Sequence, residues 1–582
     1  MFFSNNRVSR KTLSSSGLVK SLASVAVTNM LIVLPIFAAV NSNAASSSES
    51  LAISQEQVIV ATRRITETQY RNSIAAIFGN DIEINGLFEP EQRLELLLAL
   101  GSSDLSISSA GFHQYFNMAR GVASHFVNPE NREHYFSCVP SNANAADEKC
   151  ASEVLSKYGK ALFRRPLTDA ELSPRLELAN AGATQAKDFY RGMELAMIGL
   201  LSAPEFLFRL EVAEPDPENP DAYRLDGYTK AARLSHLFWD VSPDAELLRA
   251  AASGELHTEK GVKNQVKRLL KSPNLEAGTR AFFSDMLHLD RYATVTKDAQ
   301  LYPKFSQTVA NSAKEQTLKT VVHQLIENDG DYRDLLTTRT TFMNRPLAAV
   351  YKIPFLAEDG WTEYTFPKDS EQSGLLTQIS LAGVFSHPGK SSPTLRGVGI
   401  NEIFLCSPTP TPPANVDFSI INDTNNPNLK TSRLRLEAHA EDPACSGCHR
   451  MIDPLGMALE RFDALAQPRL YENGELIDVT VNFLGTSFTG SRGLGEVLYE
   501  NERVHSCLVR NVYAYGVGRA PTSKERNGFI KEQTAKFAKK GFRFTYLLNQ
   551  IATSEKFFEV PESEIVAERL RARNVNLVAG DL

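Results

Sequence analysis

The pentapeptide Cys445-Ser446-Gly447-Cys448-His449 restricts what the surrounding chain can become more than any other feature of the sequence. Two thiols at this spacing can add to the two vinyl groups on one edge of a haem, and the adjoining histidine then reaches the iron from one face. The expectation is one covalent haem c, with Cys445 and Cys448 carrying the thioether bonds and His449 as the proximal iron ligand. A zinc site would need a second Cys/His pair at comparable spacing, and the chain has none. A thioredoxin-like dithiol would sit near a βαβ pattern, which is also missing around the motif.

Haem attachment of this kind belongs outside the cytoplasm, and the N-terminus agrees. Residues 1–44 hold Arg7, Arg10, Lys11 and Lys20 and no acidic residue. An apolar stretch runs from Leu22 to Val40, and small residues close it at Ser42-Asn43-Ala44, before Ala45. This reads as a signal peptide spanning residues 1–44. The stretch carries Pro35 and falls short of the ~20 apolar residues a membrane span needs. A periplasmic or secreted protein is therefore expected, with no stable transmembrane segment after cleavage.

Compartment bears on the other cysteines. Two of six lie in the motif, leaving Cys138, Cys150, Cys406 and Cys507, which an oxidising environment would pair. Four cysteines allow three pairings. Cys138–Cys150 is favoured because the two bracket the polar loop Val139–Asn144, and by elimination Cys406 joins Cys507 across the haem segment. The competing reading is four buried free thiols.

Helical signals dominate the chain. Thr66 precedes a run of helix formers ending in Ile74-Ala75-Ala76-Ile77-Phe78, and Thr168 restarts a helix after Arg164-Arg165-Pro166-Leu167. Arg93–Leu100, Gly111–Phe126 and Ala151–Phe163 read as further helices. Val262, Val266, Leu269 and Leu270 form an apolar stripe, as do Leu318, Val321, Val322, Leu325 and Ile326. Met193 and Met197 fall at helical spacing and read as core. Residues 354–375 are loop-rich, and Pro408, Pro410, Pro412 and Pro413 favour extended polyproline II. Asn473-Gly474 between apolar flanks predicts a small β-hairpin over Leu470–Ile477. Helix returns over Arg510–Val517 and Thr545–Ser554. The fold class is mainly α. An N-terminal helical region is expected over 45–215 and a middle helical domain over 216–370. A C-terminal helical haem c-binding domain with the hairpin would fill 371–582.

On the far side of the iron the sequence leaves several candidates. Met451 is too near His449 to cross over, and Met457 could do so only if the chain doubled back at Asp453-Pro454-Leu455-Gly456. His439 is the favoured distal ligand, His387 the weaker candidate, and His505 remains. A five-coordinate haem with an open site is the alternative, and it would suit small-ligand or peroxide chemistry. Asp453, Arg396 and the Pro tract are candidate elements of the haem surroundings.

Other chemistries find no support. The chain lacks a Walker loop, a dinucleotide Gly-rich turn, a Gly-x-Ser-x-Gly elbow and a His-Glu-x-x-His pair. Formal charge is −6, and removing four basic residues with the signal leaves 58 basic against 68 acidic residues. A mildly acidic surface with scattered charge excludes nucleic acid as a partner.

The haem segment from Asp442 through Asp463 resembles that of a large group of planctomycete-type cytochrome c proteins, built from several domains of unknown function. Similarity extends over nearly the whole mature chain. It includes Thr68–Asn72, Phe163–Thr168, Ser202–Phe206, Ser391–Gly397 and Tyr513–Arg519. The resemblance implies an exported haem-bearing protein, a disulfide between the Cys406 and Cys507 contexts, and a histidine at the His439 context. His387 is more variable in that group, and Phe is usual where this chain has Met457. Members are associated with exported oxidative or polysaccharide-degrading systems.

The leading functional reading is a monohaem redox protein that passes single electrons to or from a redox partner protein, rather than a self-sufficient enzyme. Two others compete: a binding or scaffold module with a structural haem, and a haem enzyme acting on peroxide. Electron transfer alone needs a domain of ~100 residues, so the long helical region ahead of the motif calls for a purpose of its own.

Overall fold

The computed structural model describes residues 57–560, apart from 356, 358 and 411–415. The signal segment 1–44, the linker at 46–50 and residues 411–413 of the Pro tract lie outside the described residues.

Helix starts follow from side-chain caps. Thr66 opens the helix Glu67–Phe78: its Oγ1 accepts from the Gln69 backbone N–H at 3.1 Å, and the Gln69 side chain returns to the Thr66 N–H. Thr168 and Glu171 form the same box ahead of Asp169–Ala186. Each such cap is worth ~0.5–2 kcal/mol and fixes where the chain enters the helix. Tyr70, Ile74 and Phe78 then fall on one face and are buried. They join Phe126, Tyr158, Met193 and Met197 in the first core, beneath helices Ser109–Val127, Glu148–Phe163 and Phe189–Leu201. A disulfide joins Cys138 to Cys150, with Cα atoms 5.8 Å apart, and closes the polar loop at the edge of this core.

A second core draws on residues far apart in sequence. Val262, Val266 and Leu269 line the inner face of helix Glu259–Leu270. Leu234 and Phe238 of helix Gly227–Trp239 pack in the same cluster as Val512 of helix Glu502–Val517 and Leu547 of helix Phe544–Ala552. Cys406 is joined to Cys507, Cα–Cα 5.4 Å, which fastens helix Pro393–Leu405 to helix Glu502–Val517. Segments on both sides of residue 370 thus share one apolar interior.

Strands are few and antiparallel. Val58–Arg64, Phe208–Asp216 and Asn219–Leu225 form a three-stranded sheet in that order, in a region read from sequence as helical only. The strand pattern is masked because its buried positions include Arg63, Arg209 and Glu211, so polarity does not alternate with burial. Tyr471-Glu472 pairs with Glu475-Leu476 around Asn473 (φ 49°) and Gly474 (φ 82°), the hairpin expected there. Thr480–Phe483 and Thr486–Thr489 make a further short hairpin.

One expected helix is largely absent. Of Arg93–Leu100 only the last three residues are α-helical, in the short helix Leu98–Gly101, because Glu95 and Leu96 take positive φ. The Asp285 carboxylate accepts from the Leu98 and Ala99 N–H groups at 2.8 and 3.0 Å, and this tertiary cap starts the helix late. Among the described residues no helix is long and apolar enough to cross a membrane.

Candidate functional site

The motif lies on the helix Pro443–Met457. Proline is suited to the opening position, where its missing N–H is not needed. The Asp442 carbonyl accepts from the Cys445 and Ser446 N–H groups at 2.9 and 3.0 Å, so helical geometry begins at the first cysteine. Spacings of three and four residues put Cys445, Cys448 and His449 on one helical face. Both thiols are free and partly buried. Two sulfurs and an imidazole are thereby presented side by side, the arrangement that double thioether attachment and proximal ligation require.

His449 is held by what lies one turn on. Its Nδ1 is 2.8 Å from Oδ2 of Asp453, and Oδ1 of Asp453 accepts from Thr394 Oγ1 at 2.9 Å. Asp453 is only 5 % exposed, so its charge is shielded from bulk water. The hydrogen bond to Asp453 raises the His449 imidazole above its ordinary pKa, against the opposing pull of partial burial. With Nδ1 engaged by the carboxylate, Nε2 is the nitrogen left to bind a metal, an arrangement typical of ligating histidines.

Thr394 reaches Asp453 because two helices touch backbone to backbone. A β-carbon on Gly456 would overlap the Pro393 carbonyl oxygen, and one on Gly397 would overlap that of Ile452. The helix Pro393–Leu405 therefore lies against Pro443–Met457 with almost nothing between them. Arg396, 2 % exposed, grips the chain as it leaves the second helix. It donates to the carbonyls of Leu459 (2.9 Å), Phe462 (2.8 Å) and Asp463 (2.5 Å). Its side chain is thus committed to main-chain oxygens below the site, and it positions rather than faces the motif. Glu460, 3.6 Å from Arg396, is pushed up by burial and held by Arg469 at 2.5 Å.

His439 ends the helix Ser432–His439 and is 8 % exposed. Its ring centroid lies 5.2 Å from that of His449 at 77°, and Phe418 stacks on it at 6.2 Å and 20°. Burial, and next the neighbouring His449, lower its pKa, which keeps a nitrogen lone pair available. Arg435, one turn earlier, binds the Leu429 and Lys430 carbonyls and Glu472 of the hairpin, and so anchors the His439 helix.

His387 stands elsewhere: it is exposed, with Lys390 and Lys297 as its charged neighbours, and shows no ring contact with His449. His505 donates from Nε2 to the Tyr499 carbonyl and packs on Phe542, away from the motif. Met451 is 50 % exposed on the motif's own helix. Met457 is buried at the end of that helix, which runs on through Pro454 without doubling back. The structure therefore brings together Cys445, Cys448, His449 and His439, and leaves the other candidates apart. Two residues went unnoticed in the sequence. Thr394 falls within the Ser391–Gly397 stretch that carries the family resemblance, whereas nothing pointed to Phe418.

Five family matches cover the chain in sequence order, each described as a protein of unknown function. They are DUF1587 over residues 63–128, DUF1595 over 150–211, DUF1592 over 225–353, DUF1588 over 372–472 and DUF1585 over 484–557. The motif and His439 both fall in the fourth of these. No curated protein and no solved structure matches the chain.

Proposed function

We propose that this chain, which carries the five domains of unknown function of the planctomycete cytochrome c-type multidomain family, is an exported monohaem protein that passes single electrons to or from a redox partner protein. The observation that carries this reading is the helical face on which Cys445, Cys448 and His449 stand together, with His439 against it. Cys445 and Cys448 would hold haem c covalently, His449 would bind its iron through Nε2, and His439 is the candidate for the opposite face. When bound, the haem supplies a one-electron Fe(III)/Fe(II) couple.

What the chain itself contributes is orientation and charge. Asp453 fixes the tautomer and ring plane of His449 and makes the imidazole a stronger donor. Thr394 restrains the carboxylate, and the close helix contact at Gly397 and Gly456 restrains Thr394. Arg396 and the Cys406–Cys507 bridge brace the helix that supplies Thr394. A site held this rigidly changes little between redox states, which suits rapid electron exchange. Two disulfides and the N-terminal segment support a periplasmic or secreted setting, beside an oxidative or polysaccharide-degrading system.

The test is periplasmic expression with haem-maturation factors, followed by mass determination after denaturation and optical spectra with and without carbon monoxide. A haem that survives denaturation, a low-spin spectrum and no carbon monoxide adduct are expected. A haem-free mass would end the proposal, and a wild-type carbon monoxide adduct would turn it towards an enzyme acting on peroxide.

A further inference from the structure

A second charged centre lies far from the motif in sequence, where the three-stranded sheet meets the helix Gly227–Trp239. Arg63 and Arg209 are directly opposed across the antiparallel pair Val58–Arg64 and Phe208–Asp216, and both are buried. Like charges in that relation repel, and burial removes the water that would screen them. Glu211, two residues along the same strand face, answers part of this. It is 2.8 Å from Arg63 and takes Arg233 at both oxygens, at 3.0 and 2.6 Å.

Two guanidiniums are left over. Arg164 donates to the carbonyls of Glu205, Phe206 and Phe208, which offer dipoles but no countercharge. Arg209, 9 % exposed, makes no hydrogen bond to any described residue, although its five donors normally find acceptors. Both line a cavity of about 30 Å³ together with Arg165 and Arg233. Arg165 is occupied by Glu171 through two contacts of 2.8 and 2.7 Å.

The carboxylates on the wall do not restore balance. Glu211 is shared between Arg63 and Arg233, and Asp226 caps the helix Gly227–Trp239 by accepting from the Thr229 N–H. With Arg63 and Glu171 included, five guanidiniums (Arg63, Arg164, Arg165, Arg209 and Arg233) meet four carboxylates (Glu171, Glu205, Glu211 and Asp226), which leaves one cation over. Asp240, a further carboxylate within reach of Arg209's field, is pushed up to about 7 by burial, which weakens it as a countercharge. Burial likewise pulls the Arg164 and Arg209 guanidiniums below their ordinary range, against the attraction of Glu205 on the first and of Glu211 on the second.

We infer that this cavity binds one small monovalent anion of chloride size, held by Arg209 with Arg164 beside it. Its volume has room for one or two water-sized particles, which excludes sugars and nucleotides. The anion joins the Arg164-Arg165 turn to the central sheet and so ties the N-terminal helices to the middle of the chain. This gives the long region ahead of the motif an ion-dependent joint.

The experiment follows the thermal unfolding of the full chain in sodium chloride and in sodium gluconate at equal ionic strength, with bromide-soaked crystals for anomalous scattering. Chloride should raise the midpoint along a saturating curve that gluconate does not reproduce, and bromide should give a peak within hydrogen-bonding reach of Arg209. Arg209→Met should abolish the chloride-specific rise, and Arg209→Lys should retain part of it. If Arg209→Met fails to fold, the bromide peak in the unaltered protein decides. Superimposable chloride and gluconate curves, or no bromide peak in the cavity, would overturn the inference.

Discussion

Asp453 holds Nδ1 of His449 at 2.8 Å, one helical turn from it and almost sealed from solvent. A carboxylate in that position pushes electron density into the imidazole and favours the oxidised metal. Asp453→Asn keeps the size and an acceptor oxygen but removes the charge. The reduction potential of the haem-loaded protein should then rise, as read by spectroelectrochemical titration. An unchanged potential would show that Asp453 only places the ring.

His439 is tested by removal. His439→Ala should convert the iron from low-spin to high-spin and open it to carbon monoxide, whereas His387→Ala, altering an exposed side chain, should leave the spectrum as it was. A silent His439→Ala would mean that the 5.2 Å ring contact is packing and that the iron's far side is filled otherwise or open.

Much of this was legible in the residues, and the limit has a physical cause. Thr66 and Thr168 announce their helices because a cap is a local device, complete within four residues. The Val262 stripe and the Asn473-Gly474 turn are likewise local. The shared helical face of Cys445, Cys448 and His449 follows from their own spacing. What stayed hidden depends on chain segments distant in sequence. Asp285 delays the helix at Leu98 from about 190 residues away, and Thr394 meets Asp453 across 59. Phe418 against His439 left no pattern at all. Charge hid the sheet, since Arg63, Arg209 and Glu211 occupy positions where a strand usually shows apolar side chains.

Close helix contact makes Gly456 sensitive to a single methyl group. Gly456→Ala should force the helices Pro393–Leu405 and Pro443–Met457 apart, with a cost of ~1–3 kcal/mol by analogy with overpacked cores. Urea unfolding measures the loss. Because Thr394 would withdraw from Asp453, the haem spectrum should broaden or shift as well, whereas Gly447→Ala, with no other protein atom near the added methyl, should not destabilise the chain.

The Cys406–Cys507 bridge spans 101 residues and fastens the helix that supplies Thr394. Replacing both cysteines with serine should cost ~2–5 kcal/mol, towards the lower figure in a chain with so large a core. Unfolding in denaturant with and without reductant checks this: the unaltered protein should lose more stability on reduction than the double variant, which keeps only the Cys138–Cys150 bridge. Peptide mapping that found both thiols free in protein recovered from an oxidising compartment would refute the pairing.

Asp240 sets a pH dependence independent of haem. Its carboxylate is buried and accepts from Gln69 Nε2 at 3.0 Å, Asn72 Nδ2 at 3.3 Å and Tyr515 Oη at 3.3 Å. Burial outweighs these donors and the nearby Arg209, and pushes the group up from 3.8 to about 7. An acid raised in the fold binds its proton more tightly there than in the unfolded chain. Its contribution is therefore complete below 3.8, declines as pH rises towards about 7, and is gone above that. A shift of this size corresponds to roughly 4 kcal/mol at most. Asp240→Asn cannot titrate, so the slope of unfolding free energy across that window should flatten, even if the variant is less stable throughout because its amide faces the Asn72 amide. Chemical denaturation at a series of pH values reads the slope directly. Equal slopes in the two proteins would place the titration elsewhere.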